Sequence, residues 1–296
     1  MKLLIIGSSV KDHIHIGNDE KVSPGGIYYS VLGASGFANE NDEIFLLTAI
    51  DKENESLFAS AFEMVNTSLK TYTDKIPVVH LNISESAERC EYYENITQNL
   101  SLKNIPNLNS FDGILINMIT GFDINVEDAL SLRKNYDGLI YLDVHTLSRG
   151  LTEKNERVFR PIPDAEKWIA SANFIQVNEN EIFTITDKKD EFEAAKSILQ
   201  FGAEYLILTK GELGARIFWL KQDELNSAFV SALKLEATNR VGLGDIFGAV
   251  FFSAYIKHQN LNYALRLGNT AAGTASEFTN IDEFKRLKDD TYARFN

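Results

Sequence analysis

Residues 239–251 read Asn-Arg-Val-Gly-Leu-Gly-Asp-Ile-Phe-Gly-Ala-Val-Phe. Gly242 and Gly244 permit backbone angles that side chains forbid, and they let main-chain amides approach a ligand closely. Phe247, Val250, Phe251, Ala254 and Tyr255 then recur at helical spacing, so a glycine turn opens directly into a helix. Free amides at such a helix start, with the positive end of the dipole, suit an anion, and Asp245 falls in the first turn, where its charge is favoured. Taken alone, the stretch fits two readings equally well. Glycines that shape a turn before a capped helix are one; an anion hole beside a carboxylate base is the other.

Further polar groups stand where apolar runs stop. Gly7 and Asp12 follow the first run, and Pro24-Gly25-Gly26 opens a helical pattern. Asp143-Val144-His145-Thr146-Leu147-Ser148-Arg149 follows another run, at the carboxyl end where α/β folds bind ligands. Asn178-Glu179-Asn180-Glu181 and Thr209-Lys210-Gly211-Glu212 end two more, and Asn269 lies with Ala271 and Ala272 in the last helical pattern. Arg149 suits a phosphate or substrate contact and a surface ion pair about equally. His145 reads first as a hydrogen-bonded loop histidine. Tyr28 and Tyr29 suit an aromatic platform or the core, and Glu88-Arg89 a ligand pair or a salt bridge.

The elements that must hold these groups follow from the alternation of short apolar runs with amphipathic stretches. Buried strands are expected at 3–7, 44–49, 113–117, 138–143, 174–178 and 205–209, and helices at 26–37, 53–65, 126–136 and 191–202. An antiparallel pair begins at 214–220, and two long helices start near Asp245 and Asn262. This order predicts one α/β domain over 1–296, a doubly wound, mostly parallel sheet with helices on both faces. Segments 10–24 and 78–97 break the rhythm: Val79, Leu81 and Ile83 alternate with His80, Asn82 and Ser84, the mark of a hairpin projecting as a small β lid.

Composition narrows the function. A net charge of −13 over 296 residues argues against a nucleic-acid partner, which needs a basic face, yet leaves room for a nucleotide held by backbone amides and Mg²⁺. The lone Cys90 has no partner for an internal disulfide, and no Cys/His cluster has metal-ligand spacing. Sequons at Asn66, Asn82 and Asn95 read as chance matches, and no apolar stretch is long enough to span a bilayer, which makes the cytoplasm the default expectation.

In their order and spacing these blocks resemble the ribokinase-like (PfkB-type) sugar and nucleoside kinases, nearly end to end. The resemblance implies a doubly wound α/β domain with a β lid, an ATP donor with Mg²⁺, and a sugar or nucleoside acceptor. Asp245 matches the catalytic base, and the amides of Gly242, Leu243 and Gly244 the anion hole. Asp12, Gly25 and Gly26 match acceptor-binding positions. Asn178 and Glu181 match an Asn-x-x-Glu motif tied to Mg²⁺ and phosphate, Thr209 and Gly211 the nucleotide-side loop, and Asn269 a position near the adenine. A monomer and a homodimer joined through the lid both fit.

Several positions depart from the pattern. Ser30 stands where an acceptor-binding asparagine is usual, Arg240 and Val241 where small or hydroxyl residues are usual, and Leu243 widens a small position in the anion hole. Ile50 and Glu55 replace glycines around Asp51. These changes bear on the acceptor and on the rate, and they keep a second reading open: a protein of this fold that binds sugar or nucleotide as a sensor. A dinucleotide-dependent oxidoreductase fits poorly, because Gly7-Ser8-Ser9-Val10-Lys11-Asp12 lacks the second and third glycines of that motif.

Overall fold

The computed structural model describes residues 1–17, 19–83, 90–235, 238 and 241–295. In chain order, β1 (Lys2–Ile6) leads into the hairpin β2 (Ser9–Ile16) and β3 (Asp19–Gly26), then α1 (Ile27–Gly36), β4 (Glu43–Leu47) and β5 (Ala49–Ile50). The short α2 (Ala59–Phe62) and β6 (Thr71–Tyr72) precede β7 (Val78–Ile83), β8 (Cys90–Glu94) and β9 (Gly113–Asn117). There follow α3 (Val126–Asn135), β10 (Leu139–Asp143), β11 (Arg149–Leu151), β12 (Arg157–Phe159), α4 (Ala165–Ala170), β13 (Phe174–Asn178) and α5 (Glu191–Leu199). The chain closes with β14 (Tyr205–Thr209), β15 (Gly214–Lys221), β16 (Glu224–Ser231), α6 (Leu243–His258), α7 (Leu261–Ala275) and α8 (Leu287–Arg294).

The main sheet runs β16-β15-β14-β13-β10-β9-β1-β4, parallel except for the last hairpin at one edge. Its strands are apolar on both faces, and the pleat divides them between two cores. Leu3, Ile5, Leu115, Tyr141, Phe174 and Ile207 pack with α1, α6 and α7. Leu4, Ile6, Ile114, Ile116, Ile175 and Leu206 pack with α3, α4 and α5. Helices therefore cover both faces, as the alternation of runs predicts. Caps mark several starts: Asn125, Asp190 and Asn260 each accept a backbone N–H from the first turn of α3, α5 and α7.

One expected helix is largely absent. Residues 53–65 form a 3₁₀ turn, Glu55–Phe58, followed only by the four-residue α2. The chain beyond is drawn back to the sheet edge, where Asn66 N donates to Ile44 O (2.7 Å) and Leu46 N to Asn66 O (3.0 Å), and a longer helix could not make that return.

The two irregular segments join in one separate four-stranded sheet, β3-β2-β7-β8, with β2 and β7 parallel. One of its faces carries the buried Val10, Asp12, Ile14, Val79, Leu81 and Tyr93. The other carries a stack of rings: His80 lies 4.2 Å from Tyr92 and 4.9 Å from His13, centroid to centroid. Ser86, Glu88, Arg89 and Arg240 lie outside the described residues.

Candidate active site

The start of α6 is set by Gly242, whose φ of +75° belongs to the left-handed region that glycine enters without strain. The first intrahelical bond runs from Ile246 N to Gly242 O (3.0 Å), so the helix itself offers no acceptor to the amides of Leu243 and Gly244. Asp245 follows in the same turn, 7% exposed. The carboxyl ends of β10, β13 and β14 face this turn across a cavity of about 830 Å³. Asp143, Asn178 and Thr209 come from those strand ends, with Asn178 directly opposite Thr209 in the parallel register.

The Asn-x-x-Glu stretch folds into a self-locking turn. Glu181 Oε2 accepts from Asn178 N (2.9 Å) and Oε1 from Asn178 Nδ2 (2.8 Å), while Asn178 Oδ1 accepts from Glu181 N (2.9 Å). The carboxylate is thereby held at the cavity wall. Gly211, at φ +49° with open space where a Cβ would stand, turns the next loop past it. Asn269 spends its Nδ2 on Ser231 O (2.9 Å), and with Leu233, Ala272 and Gly273 it lines the far end. Arg149 also lines the cavity, its guanidinium 4.1 Å from the centre of the Phe159 ring. His145 is a loop histidine with Nδ1 2.6 Å from Thr146 Oγ1.

Residues 155–280 match the pfkB family carbohydrate kinase model. No curated protein matches the sequence. Among solved structures, the chain is similar to a pyrophosphate-dependent kinase in the ribokinase family complexed with a pyrophosphate analog and myo-inositol (16% identity, TM-score 0.81, 99% of each chain covered). It is also similar to the Arabidopsis thaliana ribokinase complexed with ribose and ATP (14%, 0.77, covering 100% of this chain and 98% of that one) and to the Thermotoga maritima ribokinase (16%, 0.73, 99% and 98%). This chain has the ribokinase fold.

Within this fold the expected site residues divide. The structure gathers Gly242, Leu243, Gly244, Asp245, Asn178, Glu181, Thr209, Gly211, Asn269 and Arg149 around one cavity. It does not bring Asp12, Gly25, Gly26 and Ser30 into that cavity. Asp12 is packed on Gly25, so closely that a Cβ there would stand 2.0 Å from Asp12 Oδ2. Gly26, at φ +62°, caps α1 with no room for a side chain beside Ser8 O. Ser30 is fully buried in α1, and its Oγ accepts from Asn117 Nδ2 (3.1 Å). Asp51 also has a framework task, accepting from the amides of Asn54 and Ile76 (2.8 Å each).

Two residues of the site, Gln176 and Asn117, went unread in the sequence. Gln176 donates from Nε2 to Asp143 Oδ2 (2.7 Å) and to Gly244 O (3.2 Å), and accepts from Tyr141 OH (2.5 Å), which ties β10 and β13 to the α6 turn. Its signal was a lone polar residue inside the apolar run at 174–178. Asn117, the last residue of β9, donates to Asp245 Oδ1, and only its place at a strand end marked it. Tyr29 lies with its ring where a side chain on Gly242 would stand, so the glycine is needed for this close approach as well as for its φ. Burial, then the carboxylates of Asp12 and Asp245, raise the Tyr29 hydroxyl well above its ordinary pKa, so it stays protonated. Burial, then the neighbouring Glu181 and Asp245 carboxylates, likewise push Asp143 well above the ordinary carboxylate range.

Proposed function

We propose that this chain transfers the γ-phosphoryl group of ATP, with Mg²⁺, to a hydroxyl of a sugar, nucleoside or related polyol. The observation that carries the proposal is the placement of Asp245 beside the open amides of Leu243 and Gly244, at the floor of a cavity that the Asn178–Glu181 turn and the Gly211 loop share. Residues Asp12 and Gly25, on the lid sheet, would hold the acceptor on the other side of Tyr29, with Gly26 and Ser30 behind them. The lid sheet would close over it.

In the step itself, the acceptor oxygen forms a bond to the γ-phosphorus while the bond from that phosphorus to the ADP oxygen breaks. The acceptor proton passes to Asp245, late in the bond-forming event, as suits a weak base. The Gly242–Asp245 turn receives charge on the transferring group through its amides and dipole. Thr209, Gly211 and Asn269 orient the nucleotide, and Arg149 is placed to meet a phosphate or the acceptor.

Among the described residues no group of three or more His, Cys, Asp or Glu forms a metal cage. Mg²⁺ keeps waters and takes one or two protein carboxylates along with phosphate oxygens. Glu181 is the residue that would hold it, directly or through water. When bound, the ion would neutralise charge between donor phosphates.

The donor is read as ATP because the cavity runs on past the phosphate loops to Leu233, Asn269 and Gly273, giving room for a base and ribose beyond what pyrophosphate fills. A similar fold does serve a pyrophosphate-dependent kinase. The test is phosphoryl transfer from ATP and from pyrophosphate to a panel of pentoses, hexoses, inositols and nucleosides. Acceptor-dependent ADP release would establish the reading. Turnover with pyrophosphate alone would replace the donor, and ATP binding without turnover on any acceptor would favour the sensor. Among the described residues, no helix is long and apolar enough to cross a membrane.

A further inference from the structure

We infer that Asn117 is a positioning residue for Asp245, holding the carboxylate in place from the end of β9; the inference rests on the reading of Asp245 as the base. Asn117 is 1% exposed and ends the strand that lies beside β10, with Asp143 as its register partner. Its Nδ2 donates to two acceptors from two different helices: Ser30 Oγ of α1 (3.1 Å) and Asp245 Oδ1 of α6. An ionised carboxylate only accepts, so the nitrogen of the amide must face Asp245 and the orientation of the side chain is decided. The two protons of that nitrogen account for both bonds.

The geometry does more than fill space. A helix-start aspartate can swing about its side-chain torsions, and a base must be held within a few tenths of an ångström of the proton it takes. The hydrogen bond from Asn117 ties Asp245 Oδ1 to the end of the sheet. The tie is itself anchored, because Ser30 holds the same nitrogen from behind. The α1–α6 packing that fixes this distance is close: a Cβ on Gly33 would stand 3.1 Å from the backbone of Ile246. Asn117 Oδ1, by contrast, meets no hydrogen-bond donor among the described residues although it is buried. An asparagine kept only for packing at such a site would be better replaced by leucine, which carries no unsatisfied acceptor. Its amide nitrogen is the part in use.

The test compares wild type, Asn117→Ala and Ser30→Ala, with Asp245→Asn used to assign the Asp245 carboxyl signal in ¹³C NMR. Loss of a donor to the charged carboxylate disfavours that form, so the Asp245 titration midpoint should rise by about one pH unit in Asn117→Ala. Ser30→Ala should shift it the same way by less. Asp143 and Tyr29 also face this carboxyl and are unchanged in all three proteins. In turnover, Asn117→Ala should lower kcat at least tenfold while KM for ATP stays within twofold. A folded Asn117→Ala whose Asp245 midpoint equals that of wild type would overturn the inference, and if that variant does not fold, the Ser30→Ala midpoint decides instead. Absence of turnover in wild type would defeat the kinase reading but not the titration result, so the two failures are separable.

Discussion

The two halves of the cleft are built differently. The half proposed for the donor is an open cavity framed by the carboxyl ends of β10, β13 and β14, with its polar groups already turned inward: the Asn178–Glu181 turn is complete through its own hydrogen bonds. The acceptor half is packed on itself. Asp12 rests on Gly25, the Tyr29 ring covers Gly242, and Ser30 is fully buried. The difference follows from what carries each half. Strand ends of a parallel sheet are fixed by the sheet, whereas the four-stranded sheet is held by one face, where Val10, Ile14, Val79, Leu81 and Tyr93 pack into the core that α1 and α6 share. A preformed donor site and an acceptor site that must open on binding is the arrangement this predicts.

Asp245 lies at the seam, and its loss should have the largest effect. Asp245→Asn is expected to reduce turnover by about 10²- to 10⁴-fold, with ATP affinity within several-fold of wild type by calorimetry. Full activity in this variant would remove the base from the mechanism. Gly25→Ala tests the acceptor half alone. A methyl there meets the Asp12 carboxylate, so acceptor KM should rise about tenfold or more and stability should fall by about 1–3 kcal/mol, with KM for ATP unchanged. Equal damage to both substrates would break the division drawn above.

Glu181→Gln tests the donor half. The metal concentration for half-maximal rate should rise several-fold, measured by Mg²⁺ titration at saturating acceptor. The smallest effect is expected at Asp143. Its folded-state pKa lies above the ordinary 3.8, so its contribution to stability is present below that pH and is lost as pH rises toward the folded value. Asp143→Asn cannot ionise and should flatten that decline, as seen in urea denaturation from pH 4 to 8. An unchanged slope would show that Asp143 is ionised in the native cleft, which would add a negative charge beside Glu181.

Much of the site could be read from residue types in order, since glycines, a first-turn aspartate and polar strand ends are local signals. The strands were equally legible, because a parallel interior strand is a short apolar run whatever its neighbours. Residues 53–65 misled for the opposite reason: the helical pattern is local, but the return of Asn66 to the sheet edge is not. Asn117 and Gln176 were passed over because a single amide in or after an apolar run carries no pattern. Their importance comes from partners 128 and 68 residues away in the chain.

By itself, then, the amino-acid sequence determined the alternating α/β order, the glycine turn into α6, the Asn178–Glu181 motif and the acidity that argues against a nucleic-acid partner. The tertiary structure alone decided that segments 10–24 and 78–97 join into one sheet, that Tyr29 covers Gly242, and that Ser30 Oγ accepts from the Asn117 amide. The division has a physical cause. Backbone conformation and helix ends are governed by neighbours within a few residues, whereas hydrogen-bond partners and close packing across a cleft are governed by which elements the sheet order brings together.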